Sequence, residues 1–171
     1  AKYSDNPYWT AYENYSDDAR NRFYGRVSAS YEIIENLLLK GSVYGDYYNF
    51  TIRERTAVGG QATPRYYEAV RENSEFNYEG VLTYTKKIND FDISGLAGVN
   101  KRQLRYDFLR GESSGGLVVP GVYNLLNSVD PALINDITDE KEVNSVFGQI
   151  SVGFRNMVFV EATYRTDWSS T

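Results

Sequence analysis

Phe23-Tyr24-Gly25-Arg26-Val27-Ser28-Ala29-Ser30-Tyr31-Glu32-Ile33 decides how the rest of the chain is read. Its odd positions are Phe23, Gly25, Val27, Ala29, Tyr31 and Ile33; its even positions are Tyr24, Arg26, Ser28, Ser30 and Glu32. Successive side chains of a strand point to opposite faces, so this alternation predicts a strand with one apolar and one wet face. After a tight turn at Glu35-Asn36, Leu37 to Tyr48 alternates in the same way. Phe76 to Thr85 and Phe91 to Asn100 form a second pair around Asn89-Asp90, residues that favour turns. Ser145 to Phe154 and Val158 to Arg165 form a third around Arg155-Asn156. Helical periodicity is poor and no solenoid repeat is present, so the expected fold is all-β: an antiparallel meander of about six strands, built from hairpins.

The chain has 171 residues, 42% of them hydrophobic and 24% charged, with a formal net charge of −5. By length alone it fits one domain. It contains no His and no Cys. That excludes Ser-His-Asp and Cys-His catalysis, His- or Cys-ligated metals and disulfides. The acidic balance and scattered Lys and Arg argue against a nucleic-acid partner. No run of about 18 apolar residues predicts a transmembrane helix, but a β-barrel hides its apolar residues at alternate positions. The sequence starts without Met and ends at Asp167-Trp168-Ser169-Ser170-Thr171, which reads as a piece of something longer.

The connections between the hairpins, residues 51–73 and 103–143, are expected as long loops on one side, opposite the short turns. Outer-membrane barrels have this asymmetry, with tight periplasmic turns and long extracellular loops. Residues 1–21, with Asn6-Pro7-Tyr8-Trp9, lead in from the long-loop side and are expected outside the membrane.

A soluble β-sandwich also alternates. Three details favour a membrane barrel. Arg26, Glu32, Lys40, Asp46, Glu79, Asp92, Arg102, Glu161 and Arg165 all fall on the polar alternation, as expected where a lipid-facing Arg or Lys costs about 2–4 kcal/mol at the midplane. Aromatics on the apolar alternation, such as Phe23, Tyr47, Phe76, Phe91 and Tyr164, gather at strand ends like the girdles of a barrel. Gly25, Gly41, Gly45, Gly80, Gly95 and Gly148 also lie on it, where a packed core loses volume and lipid tails do not. Because single-chain bacterial barrels start at about eight strands, six describe an arc whose edges pair with other sequence.

Several runs resemble barrel segments of the SusC/RagA family of TonB-dependent transporters from Bacteroidetes outer membranes. They are Asn6-Pro7-Tyr8-Trp9, Arg20-Asn21-Arg22-Phe23-Tyr24-Gly25 with Tyr31-Glu32-Ile33, Phe76-Asn77-Tyr78-Glu79-Gly80 with Tyr84, Val119-Pro120-Gly121-Val122-Tyr123-Asn124-Leu125 with Asn127-Ser128, Asn144-Ser145-Val146-Phe147-Gly148, and Arg165-Thr166-Asp167-Trp168-Ser169-Ser170. The resemblance implies that residues 1–171 are part of a single barrel domain of about twenty-two strands. It also implies a plug, a TonB-contacting segment and a SusD-like surface lipoprotein acting as a lid, none of them within these residues. The implied setting is the outer membrane, in contact with its lipids. The implied activity is import of oligosaccharides or peptides, powered by the TonB complex. No cofactor, metal or enzymatic activity is expected. The alternatives are a non-transporting outer-membrane scaffold and a soluble carbohydrate-binding β-sandwich.

Tyr66, Tyr67, Tyr106 and Phe108 fall in or beside the expected loops, where rings could stack on a ligand or cover neighbouring loops. Val118, Val119 and Tyr123 lie in an apolar loop patch, suited to contact with a lid protein or to packing back into the barrel mouth. Asp130, Asp136, Asp139, Glu140 and Glu142 gather oxygens but lack EF-hand spacing, which reads as a solvated acidic loop. Glu72 with Glu75 has the composition of a glycosidase pair without evidence of its separation. Gly59-Gly60 and Ser113-Ser114-Gly115-Gly116 read as flexible loop tips, since neither run carries the Lys of a P-loop.

Overall fold

Turn chemistry sets the three short connections of the sheet. Asn36 and Asn89 adopt left-handed φ values of 70° and 55°, which Asn tolerates better than most residues. At the third turn Arg155 and Asn156 are both left-handed, and the Met157 amide donates to the Phe154 carbonyl at 2.9 Å. A computed structural model describes residues 4–170; residues 1–3 of the leading segment and Thr171 lie outside the described residues.

A short helix α1 (Pro7–Glu13) precedes six strands: β1 (Tyr15–Ile34), β2 (Leu37–Thr56), β3 (Arg65–Ile88), β4 (Phe91–Leu117), β5 (Ser128–Phe154) and β6 (Val158–Ser170). Helix α1 starts where Asn6 Oδ1 accepts the Tyr8 amide at 2.9 Å and Pro7 takes a first-turn position. The strands form one sheet in the order β1-β2-β3-β4-β5-β6, so it is an open antiparallel meander. Among the described residues there is no second sheet, and buried hydrophobic residues amount to Ala57 and Ala69. That contradicts the soluble sandwich, which needs two sheets burying a shared core.

The long loops expected at 51–73 and 103–143 are also corrected. Most of those residues extend β2, β3, β4 and β5, leaving connections of 57–64 and 118–127, the latter closing with a 3-10 turn at Leu125–Asn127. The hairpins are therefore not separate units, since β2 pairs with β3 and β4 with β5.

The chain divides into two compact units. One draws on Phe23–Tyr47, Ser74–Arg105 and the chain from Glu140 onward. Here the expected alternation holds. On one face Phe91 meets Phe154 with ring centroids 5.0 Å apart, and Phe76 stacks on Tyr78. A depression of about 490 Å³ at Gly41 and Gly80 is lined by Val27, Ala29, Val43 and Val99. Among the described residues nothing covers this face: Val27 is 77% exposed, Ile150 53% and Val160 65%. On the opposite face Arg26 reaches Ser42 and Glu79, and Asn100 reaches Asn77. The register Phe147↔Arg165 and Gln149↔Thr163 continues this polar face onto β5 and β6.

Along β4 the apolar alternation runs from Phe91 to Val99 and then gives way to Lys101, Gln103, Arg105 and Asp107. That apolar stretch rises about 26 Å, close to what a tilted membrane strand of about 9–11 residues requires. Lys86, near the Asn89 turn, corrects the expectation that the apolar alternation carries no charge. It lies at a strand end, where a long side chain extends its ammonium to water.

The other unit draws on the chain up to Arg22, Tyr48–Asn73 and Tyr106–Asp139. Here polar residues occupy both strand faces and cross-strand pairing replaces hydrophobic alternation. Arg53 bonds Glu68 at 2.9 Å and Asn49 bonds Glu72 at 2.8 Å on one face; Arg65 bonds Glu54 and Glu112 on the other. Residues 5–14 pack on the β2–β3 connection. Asp5 accepts the Gln61 amide, Asn14 accepts the Ala57 amide, and Arg55 lies between the Tyr15 and Tyr123 rings.

Candidate functional site

Strand alternation sorts the candidate aromatics before any contact is considered. Tyr66 and Tyr67 are neighbours on β3 and therefore face opposite sides. The Tyr66 hydroxyl donates to Glu68 at 3.1 Å, and its amide donates to Ser113 Oγ at 2.9 Å. Burial and the adjacent Glu68 charge push the Tyr66 hydroxyl above its usual pKa. Tyr66 is thus a structural member of the Arg53–Glu68 ladder. Tyr67 lies under the Arg65 guanidinium at 6.0 Å. Tyr106 stacks on Phe108 with planes 11° apart, and Arg71 lies 5.2 Å over the Phe108 ring. Tyr67, Tyr106 and Phe108 therefore share one face as members of β-strands; they do not sit on loops.

Sequence reasoning missed the cations interleaved with these rings. Arg71 follows Tyr67 at an even spacing, Arg110 follows Phe108, and Arg20 lies 5.3 Å over the Tyr48 ring. The signal was the same period-2 pattern, with aromatic and cationic residues replacing aliphatic ones. Ala69, two residues from both Tyr67 and Arg71, is 1% exposed.

In the unit with the apolar face, the polar face carries several paired charges. A small cleft of about 140 Å³ collects Arg26, Ser42, Tyr44, Asn77 and Glu79. Arg102 bonds Glu75 at 2.7 Å, while Arg165 bonds Asp167 and Ser145. Such a wall is hydrophilic, the character of a water-filled barrel interior.

Of the loop candidates, Val118 and Val119 are more than half exposed, but Tyr123 is held. The Tyr123 hydroxyl accepts the Val58 amide, and its ring carries Arg55 at 5.0 Å. Buried Asn127 organises the connection. Its Oδ1 accepts from the Val119 amide at 2.9 Å, and its Nδ2 donates to the Val119 and Val122 carbonyls at 2.8 and 2.6 Å. The loop therefore presents Val118, Val119 and Leu126 outward, with Leu126 98% exposed.

The remaining motifs dissolve into strand pairing. The acidic residues expected in a loop lie on β5, where Glu140 bonds Arg105 at 2.6 Å. Asn144, Lys101 and Gln103 all bond the Glu142 carboxylate and hold its pKa down to about 2. Among the described residues no three acidic, His or Cys side chains gather to hold a metal. Glu72 and Glu75, three apart on β3, face opposite sides and bond Asn49 and Arg102 respectively. Gly59 and Gly60 are not a loose tip: Trp9 packs on both, and a Cβ at Gly60 comes within 3.0 Å of its ring. Ser113 and Ser114 lie on β4, the latter bonding Ser128.

Solved structures share this fold. The chain is similar to the RagAB peptide transporter at a TM-score of 0.86 and 16% identity, over 95% of this chain. It matches the RagAB peptide importer in the closed-closed state at 0.85 and 16% over 95% of its length, and in the open-open state at 0.82 and 19% over 96%. The chain spans 19% of the length of each of those chains. No family model and no curated protein matches the sequence. The likeness establishes the fold: the open six-stranded meander is the arrangement of one segment of those transporter chains, as the motif resemblance led us to expect.

Proposed function

We propose that the chain is a barrel segment of an outer-membrane, TonB-dependent active transporter of the SusC/RagA kind, and that it has no enzymatic role. Its cargo is an oligosaccharide or peptide, captured with a SusD-like surface lipoprotein. The observation that carries this reading is the two-faced sheet. One face is an uncovered apolar band bounded by aromatics, suited to lipid; the other is a polar wall carrying paired charges, suited to water. The likeness to RagAB peptide transporters supports an importer over an inert scaffold. In this reading the polar face lines the path of the cargo, and the outward Val118, Val119 and Leu126 meet the lipoprotein. Energy comes from parts of a larger protein that contact TonB.

The test is uptake of fluorescent oligopeptides and oligosaccharides by cells carrying the full-length protein, with and without TonB. Uptake of either class that disappears without TonB is expected. Uptake of neither class, in cells where the barrel assembles, contradicts the transporter and favours the scaffold.

A further inference from the structure

We propose that, in the unit containing Tyr48–Asn73 and Tyr106–Asp139, the face that carries Tyr67, Tyr106 and Phe108 binds the carboxylates of an acidic oligomeric ligand through Arg20, Arg71 and Arg110; this rests on the transporter reading above. The Arg20 guanidinium lies 5.3 Å over the Tyr48 ring and that of Arg71 5.2 Å over the Phe108 ring. Arg110 lies two residues beyond Phe108 on the same face of β4 and is exposed. Among the described residues none of these three has a carboxylate partner. The contrast lies in the same unit, where Arg53 bonds Glu68 and Arg65 bonds both Glu54 and Glu112. On β4 the neighbouring acid of the same alternation, Glu112, is taken by Arg65, and the other acids of that alternation, Asp18 and Asp139, lie on β1 and β5.

A guanidinium held over a ring face by cation–π attraction spends none of its N–H donors on a carboxylate, and its fork of donors matches one. The ring contact also fixes the side chain in advance, which lowers the entropy lost on binding. Arg20 and Arg71 are on strands two places apart in the sheet, a lateral offset of about 10 Å. Arg110 is on the strand adjacent to Arg71. Carboxylates on one side of an extended peptide recur every ~7 Å, so a ligand with several acidic units can engage more than one of these cations. A peptide rich in Glu and an oligosaccharide of uronic acids share this chemistry.

The test uses the full-length transporter in detergent and a fluorescein-labelled Glu-rich pentapeptide, its Gln-rich counterpart, and an oligogalacturonate as competitor. The Glu-rich peptide is expected to bind about tenfold or more tightly than the Gln-rich one, the size of one charge-assisted hydrogen bond. The pair Arg71→Ala with Arg110→Ala should sharply reduce that preference, leaving only the share of Arg20, and leave Gln-rich binding unchanged; Arg71→Gln with Arg110→Gln serves if the alanine pair fails to assemble. Arg-dependent binding of oligogalacturonate without the acidic peptide supports the carboxylate strip and assigns its source to sugar acids. Equal binding of all probes overturns this inference while leaving the transporter reading in place, as does an acid preference that survives both double variants undiminished. Failure of every probe to bind overturns both.

Discussion

Asn127 shows how one side chain holds a connection that the sequence pattern leaves undefined. Its amide spans Val119 and Val122, so Asn127→Ala removes three part-buried hydrogen bonds worth about 0.5–1.5 kcal/mol each. Hydrogen exchange in the assembled barrel should speed up across Val118–Leu126 and nowhere else; unchanged exchange there contradicts the assigned role. Glu142 gives a second test. Its carboxyl is depressed from 4.5 to about 2 by bonds from Asn144, Lys101 and Gln103. A depressed carboxyl contributes stability that is fully present above its unfolded pKa and is lost as pH falls through its folded one. The wild-type chain should therefore lose more stability than Glu142→Gln between about pH 5 and about pH 2, measured as the temperature at which the barrel unfolds in detergent. Parallel losses in the two proteins contradict it. None of this was legible in the sequence, where Glu142 looked like one more member of an acidic run.

At the scale of the element, the parts of each strand with one apolar face were readable and the parts that are polar on both faces were not. Phe23 to Ile33 and Phe91 to Val99 announce themselves because only one of their faces is apolar. Beyond Lys101 both faces are wet, alternation fades, and Arg105–Glu140 and Thr138–Asp107 pairing takes over, which no single-strand pattern records. Tyr106 and Phe108 were therefore assigned to a loop although β4 carries them. Substitution separates the faces. Val27→Arg and Val152→Arg place a cation on the apolar face at a cost of about 2–4 kcal/mol near the midplane. Ser28→Arg and Ser151→Arg fall on the polar face, and Ser151 lies opposite Glu161 in the register. Folded barrel recovered from outer membranes should fall for the first pair and hold for the second; equal loss in both pairs reverses the assignment of faces.

At the scale of the whole molecule, the described residues bury only Ala57 and Ala69 as hydrophobic side chains. A sheet of six strands with an uncovered apolar face has to be completed by something outside it, and lipid on one side with water on the other accounts for both faces. The chain contains no Cys, so single cysteines can be placed one at a time along β4 from Phe91 to Arg110 in the full-length protein assembled in membranes. Each is then tested with a lipid-soluble and a water-soluble thiol reagent. From Phe91 to Val99 the odd positions should react from lipid and the even positions from water, and from Lys101 onward both should react from water. Loss of that alternation between Phe91 and Val99, or lipid reactivity at the even positions, contradicts the barrel-segment account.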